Sequence, residues 1–393
     1  MSINNLSILT KQHVLVLFLC IILKYYPKEQ ASPGENLSRQ CEYDTKHLCP
    51  SCFSEPNECS IFKDRLTIDT DDPLNRLVCR FNQHAVSYGV LDGKQNVVIK
   101  SLNKNGQVEK LRDSICKEFQ IATEDCEFRN DELFRTELRQ MILNEDRVEG
   151  MIICPSGDDL ALERFLKKIE ENELLKLILM LTNAQPLLLK LFNGTNLRTP
   201  EPVFQMGFTL AESFDGDSLA NFYSSSLKTR LTIANELISA ILSITAGLDG
   251  FRFYLTDINP DNIAIQFLSS GNVKVSFIDI NNVIVLDSQS KRLDRNKPET
   301  IHARIECDGC FAYVQEEICS HRYSDINLFA MCQLFLENLN GNGEAGFLHF
   351  SDDRLELKQI HQLLKHCVYC RPPDCQDRKM LLQQIQKTIN LIM

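Results

Sequence analysis

Apolar residues along this chain fall into two rhythms, and the changes between them predict where its elements lie. The runs Ala85–Leu91 and Asn96–Leu102 are rich in β-branched residues and are split by Asp92-Gly93-Lys94, which predicts a hairpin whose second strand carries Lys100. Residues 107 to 147 are charged and helix-prone. From Leu160 to Leu181, a helical face gathers Leu162, Phe165, Leu166, Ile169, Ile178 and Leu181. Short extended pieces are expected at Leu187–Phe192 and Val203–Ala211. Residues 228 to 248 give the clearest amphipathic helix, with Leu231, Ala234, Leu237, Ile238, Ile241 and Ile244 on one side. A second β pair, 262 to 267 and 273 to 278, turns at Ser269-Ser270-Gly271-Asn272, and helices are expected near 325–338, 353–367 and 378–392.

These elements predict an α+β chain of two lobes. Residues 81–215 read as mainly β with one long helix, and residues 216–393 as mainly helical. Ahead of them, residues 32–80 are polar and cysteine-rich, with turn signals at Ser32-Pro33-Gly34 and Ser54-Glu55-Pro56-Asn57, and predict a small disulfide-stapled cap that packs on the first lobe. No internal repeat or low-complexity tract interrupts the pattern.

At the start, the apolar run Val14–Leu23 lies between Lys11 and Lys24. It is short for a bilayer-spanning helix, which needs about 20 residues, and residues 1–31 read as a signal peptide. No A-x-A site comes after it, so an uncleaved anchor stays open, and no later segment is expected to span a membrane. The sixteen cysteines are far more than a reducing cytosol favours, and all but Cys20 lie beyond the apolar run, an odd number that leaves one thiol over. Asn36-Leu37-Ser38 and Asn193-Gly194-Thr195 are glycosylation sequons in such a compartment. Zinc is disfavoured: Cys49/Cys52, Cys307/Cys310 and the group His361, His366, Cys367 and Cys370 each lack a second partner pair at finger-like distance. A net charge of -11 without a Lys/Arg run argues against nucleic acid and anionic membrane surfaces. The chain ends Asn390-Leu391-Ile392-Met393 without a K-D-E-L-type signal, so the Golgi lumen or secretion is expected over retrieval to the endoplasmic reticulum.

The chemistry-bearing residues come after the amphipathic helix. Asp257 is followed five residues later by Asn262, and Asp279 comes seventeen beyond that, in Phe277-Ile278-Asp279. Protein kinases use this spacing to hold a substrate hydroxyl and the metal ions on ATP, and Val97-Val98-Ile99-Lys100 matches their V-A-I-K strand. Phosphoryl transfer needs a cation on the phosphates, oxygen ligands on the metal and a carboxylate that orients the nucleophile. Lys100 is the candidate for the first, Asn262 and Asp279 for the second, and Asp257 for the third. Asp257-Ile258-Asn259-Pro260 is also a good turn sequence; the later strand-borne Asp and the strand lysine lift it above that reading.

With these residues, the chain resembles the divergent protein kinase domain 2 family, also called the deleted-in-autism family, related to the FAM69 secretory kinase-like proteins. The matching segments include Cys49-Pro50-Ser51-Cys52-Phe53, Val97–Leu102, Arg135-Thr136-Glu137, Cys154-Pro155-Ser156, Tyr254–Ile265, Asp325–Cys332 and, most specifically, the run from 277 to 299. The resemblance implies a two-lobed kinase-like fold in the secretory pathway, with 81–215 and 216–393 as its lobes and ATP with Mg²⁺ or Mn²⁺ as cofactors. Asp325 would match the buried Asp that braces the catalytic loop. The partner of Lys100 would be a helix glutamate, Glu137 or Glu118, with Glu137 favoured.

Several positions depart from ordinary kinases. Only Gly89 stands where a G-x-G-x-x-G loop would cover the phosphates, Leu255-Thr256 replaces His-Arg, Asn259 replaces a lysine, and Asp279-Ile280-Asn281 replaces D-F-G. No A-P-E closes the activation segment, where Cys307, Cys310 and Cys319 suggest disulfide fixation. The expectation is a secretory kinase-like protein that binds ATP and a divalent metal and transfers phosphate to a protein or glycan hydroxyl. The alternative is a pseudokinase acting as a lumenal scaffold or as a secreted ligand of a cell-surface receptor.

Overall fold

The computed structural model describes residues 33–53, 56–68, 86–122, 126–144, 150–294, 296, 299–305, 311–337, 346–350, 354–372 and 374–393. The expected leader, Cys79, Cys307 and Cys310 lie outside them. In chain order the elements are α1 (Pro33–Tyr43), α2 (Ile61–Asp64), β1 (Leu66–Ile68), β2 (Ser87–Leu91), β3 (Gln95–Ser101), α3 (Gln107–Glu118), α4 (Glu132–Leu143), β4 (Met151–Cys154), α5 (Asp159–Leu166), α6 (Glu173–Thr182), α7 (Gln185–Phe192), β5 (Pro202–Met206) and β6 (Thr209–Ser213). Next come β7 (Asp217–Ser218), α8 (Leu227–Ala246), β8 (Phe251–Leu255), β9 (Ile263–Phe267), β10 (Val273–Phe277), β11 (Val283–Asp287), α9 (Gln315–Ser320), α10 (Ile326–Leu336), α11 (Leu355–Tyr369) and α12 (Arg378–Ile392).

A five-stranded antiparallel sheet has the order β1-β2-β3-β6-β5. Alternation along β3 sends Val97 and Ile99 into a cluster with Cys41, Cys59, Phe62, Leu66 and Leu91, and leaves Lys100 on the other face. The cysteine-rich segment thus supplies both the edge strand β1 and part of the core beneath the hairpin. Its own staples are Cys41–Cys59 and Cys49–Cys52. It is also tied to the β5–β6 turn: the Asp44 carboxylate accepts the Phe208 amide at 2.8 Å and the Gln40 side-chain amide at 2.7 Å. Gly207 in that turn has φ +56°, and a Cβ there would lie 2.6 Å from Asp44 Oδ2, so this close approach requires glycine.

A second sheet, β4-β11-β8, pairs β4 parallel and β8 antiparallel to the central β11. Every residue of β4 and of β11 is buried. The third sheet, β10-β9-β7, contains the predicted second hairpin. Helices α8, α10, α11 and α12 pack against one another to complete the C-terminal part, and Cys332–Cys367 crosslinks α10 to α11.

Three expectations change. Residues 81–215, read as mainly β with one long helix, hold the five helices α3 to α7. The helical face from 160 to 181 is two helices, because Asn172 starts a new one by accepting the Leu175 amide on its side chain at 3.3 Å. The piece expected to be extended at 187–192 is the helix α7, with Pro186 in its first turn. Nearly all of α6 and α7 is buried, so periodicity has no polar face from which to distinguish helix from strand. Among the described residues, no single helix is long and apolar enough to cross a membrane, while α6 and α7 together pass on composition but bend by 115° between them.

Candidate functional site

Lys100 is half-buried on β3, opposite Leu210 of β6, and Val98 is opposite Glu212. Lys100 and Glu212 are therefore diagonal neighbours on one face of the sheet. Lys100 Nζ lies 2.8 Å from Glu212 Oε1, and the glutamate side chain is 1% exposed. Gln185, at the start of α7, donates from Nε2 to Glu212 Oε2 at 2.5 Å and to the Ile278 carbonyl at 3.1 Å. Lys100 Nζ also donates to that Ile278 carbonyl. Burial pushes the Glu212 carboxyl up; Lys100 and Gln185 oppose the shift, and the negative charge of Asp279 adds to it. Lys100 is thus bonded to the backbone carbonyl of the residue before Asp279.

This is a correction to the sequence reading. The partner of Lys100 is Glu212, not Glu137 on α4 or Glu118 on α3. A charged residue inside the otherwise buried strand Thr209-Leu210-Ala211-Glu212 was the available signal, since a buried carboxylate needs a partner. Gln185, just ahead of the segment 187–192 read as extended, carried no signal. Gly89 lies on β2, where a Cβ would meet the Thr67 carbonyl at 2.9 Å and Ile99 Cδ1 at 3.2 Å, so its small size serves strand packing against β1 and β3.

Asp257 is exposed in the loop between β8 and a 3-10 turn at Pro260–Asn262. Asn259 builds this turn: its side-chain oxygen accepts the amides of Asp261 at 2.9 Å and Asn262 at 3.2 Å. Its own Nδ2 donates to Asp257 Oδ1 at 2.7 Å. Asn262 Nδ2 donates to Asp257 Oδ2 at 2.8 Å and to the Asp257 carbonyl at 3.1 Å. Both carboxylate oxygens therefore face amide donors of the same loop.

The third position is set by the β9–β10 hairpin. Ile263 pairs with Phe277, and the Ile278 amide donates to the Asn262 carbonyl at 3.0 Å, so Asn262 and Asp279 leave adjacent strand ends. The donor set suits a hard divalent cation, because Asp279 offers carboxylate oxygens and Asn262 has committed its Nδ2 elsewhere, leaving Oδ1. Thr256 closes the loop from the other side, donating its amide at 3.4 Å and its hydroxyl at 3.0 Å to the Asn282 carbonyl.

Support from beneath comes from α10. Asn327 Oδ1 accepts the Leu255 amide at 2.9 Å, while Nδ2 donates to the Phe253 carbonyl at 2.8 Å and to Thr245 Oγ1 at 3.1 Å. The bracing role expected of Asp325 thus belongs to Asn327. Asp325 instead pairs with Arg378 at 2.6 Å, and its Oδ1 accepts the His302 amide at 2.7 Å, which pins the 299–305 segment. Burial pushes the Asp325 carboxyl up against the opposing pull of Arg378. Burial also pushes the His302 imidazole down to about 4.

The remaining cysteines among the described residues are bonded. Cys154 of β4 joins Cys319 of α9, Cys116 joins Cys126, and Cys370 joins Cys375. Two of the three candidate zinc groups are thereby committed to disulfides: Cys49 with Cys52, and Cys367 and Cys370 with Cys332 and Cys375.

Comparison with known proteins finds kinase-like relatives. Residues 177–369 match the family model described as the protein-kinase domain of FAM69. The chain is 26% identical to divergent protein kinase domain 2A of Xenopus tropicalis over 356 residues, 81% of each chain. It is 26% identical to the Homo sapiens protein of the same name over 383 residues, 88% of this chain and 87% of that one.

Proposed function

We propose that this chain, whose residues 177–369 match the protein-kinase domain of FAM69, binds ATP with Mg²⁺ or Mn²⁺ and transfers phosphate to a hydroxyl of a protein or glycan in the secretory pathway. The observation that carries the reading is the bond from Lys100 to the carbonyl of Ile278, which brings a strand lysine to the residue beside Asp279 across 178 positions of sequence. Asn262 and Asp279 would hold the metal, whose contribution is to neutralise charge on the phosphates. Lys100 would contact the α- and β-phosphates, and Asp257 would orient the attacking hydroxyl and accept its proton. Disulfides in the cap, at the end of α3, between β4 and α9 and between α10 and α11 fit an oxidising compartment, with the Golgi lumen or secretion as the proposed destination.

A second reading, a pseudokinase acting as scaffold or secreted ligand, is favoured by one observation. Each oxygen of Asp257 already accepts a side-chain amide, from Asn259 or from Asn262, so a substrate hydroxyl must use the lone pairs that these bonds leave free. The test is the melting temperature of the purified chain with and without ATP and Mn²⁺ or Mg²⁺, and then phosphate transfer to lumenal acceptors. A ligand that binds only the native state must raise the midpoint. A nucleotide-dependent rise with transfer supports the enzyme, a rise without transfer the pseudokinase, and no rise rejects both as nucleotide binders.

A further inference from the structure

We infer that Glu212 on strand β6 is the residue that positions Lys100, with Gln185 of α7 locking the pair to the backbone immediately ahead of Asp279. What Lys100 is positioned for rests on the nucleotide reading above; the pairing itself rests on geometry.

The four groups close a ring. Glu212 spends one oxygen on Lys100 at 2.8 Å and the other on Gln185 at 2.5 Å, and both donors also reach the Ile278 carbonyl. Glu212 is buried, and a buried carboxylate left without its cation is costly, so Lys100 and Glu212 hold each other in place. Gln185 adds to this without competing: its amide donates to the carboxylate but carries no charge to draw Lys100 away. A second carboxylate at position 185 would instead stand against Glu212, whose carboxyl is already pushed up by burial and, in addition, by the charge of Asp279.

The mechanical consequence comes from where the partner sits. A glutamate on a mobile helix lets that helix make or break the lysine pair, which is how helix displacement switches a site. Glu212 is held in register with β3 by five paired positions, from Val97 opposite Ser213 to Ser101 opposite Thr209. Lys100 is therefore set by the sheet itself, and movement of α3 or α4 has no carboxylate to withdraw from it.

The experiment uses the disulfide-intact full chain and three variants: Glu212→Gln, Gln185→Ala and Glu137→Gln. The first readout is acylation of Lys100 by an amine-reactive ester, read by mass spectrometry without nucleotide. Glu212→Gln should raise the rate at least about fivefold by freeing Nζ from its buried partner, and Gln185→Ala should raise it less. Glu137→Gln should leave it at the wild-type rate. The second readout compares ATP with adenosine: Glu212→Gln should weaken ATP about tenfold, through the charge-assisted phosphate contact, and leave adenosine unchanged. General loss of structure would weaken both. Wild-type labelling in a folded Glu212→Gln protein, or an increase in Glu137→Gln, overturns the inference. If Glu212→Gln fails to fold, wild-type labelling in Gln185→Ala overturns it instead. A wild-type chain that binds no ATP yet shows the Glu212-dependent labelling rejects the nucleotide reading and supports the pair.

Discussion

Asn327 grips strand β8 at Leu255, two residues before Asp257, accepting the Leu255 amide at 2.9 Å and returning its own amide to Phe253 at 2.8 Å. The exposed loop that carries the candidate chemistry is therefore held by a fully buried amide from a helix beneath it.

Replacing Asn327 with leucine keeps the volume and leaves the Leu255 N–H and the Phe253 carbonyl without their partner. Buried unsatisfied groups cost about 1–3 kcal/mol each, so a loss of about 2–6 kcal/mol is expected in urea unfolding. A change below about 0.5 kcal/mol, the range of a surface substitution, would show that the grip is not needed.

The Cys154–Cys319 bond ties β4 to α9 across 165 residues. The double variant Cys154→Ser/Cys319→Ser removes the crosslink without leaving a lone thiol, and should cost about 2–5 kcal/mol through the freed unfolded chain. Chemical denaturation reads the loss. Stoichiometric labelling of Cys319 in the native, unreduced protein would contradict the bond itself.

Much of this architecture is legible in the sequence because it rests on alternation, turns or caps. The hairpin bearing Lys100 announces itself by Asp92-Gly93-Lys94, and the long helix at Leu227–Ala246 by its apolar face. Strands β4 and β11 do not, since Met151-Ile152-Ile153-Cys154 and Val283–Asp287 are buried on both faces and show no period. The same loss of contrast hid α7. At the site, the spacing of Asp257, Asn262 and Asp279 is a property of one continuous stretch and can be read directly. The partner of Lys100 lies 112 positions away in sequence, and only the pairing of β3 with β6 brings Glu212 beside it.

Two buried groups give stability opposite pH dependences in one window. Burial pushes the Asp44 carboxyl from 3.8 up to about 6, so the folded chain keeps a proton that the unfolded chain releases. Its contribution is full below about 4 and is lost as pH rises through about 6. His302 is pushed from 6.5 down to about 4, so the unfolded chain takes a proton that the folded chain refuses; its contribution is full above 6.5 and is lost as pH falls through about 4. In urea melts between about pH 4 and 6, Asp44→Asn should therefore make stability rise more steeply with pH than in the wild type, and His302→Gln should make it rise less steeply. Equal pH slopes in the wild type and both variants would refute the assignment.

The two carboxylates of the proposed mechanism can be separated, because the structure gives them different neighbours. Asp279 stands beside the Lys100–Glu212 pair, and Asp279→Ala should weaken metal-dependent ATP binding. Asp257→Ala should leave ATP affinity near the wild-type value and lower transfer by about 10²–10⁴-fold, since a group acting on the attacking hydroxyl matters mainly in the transition state. One complication is built into the loop: Asp257 also holds the Asn262 amide at 2.8 Å, so removing it frees a proposed metal ligand. Asp257→Asn resolves this, because an amide oxygen at position 257 can still accept from Asn262 Nδ2 while the group no longer takes a proton at neutral pH. If transfer depends on Asp257 as a proton acceptor, Asp257→Asn should fall together with Asp257→Ala; if Asp257 merely orders the loop, Asp257→Asn should retain most of the transfer. Transfer at the wild-type rate in Asp257→Ala would remove it from the chemistry, and unaltered ATP and metal binding in Asp279→Ala would remove Asp279 from the metal site.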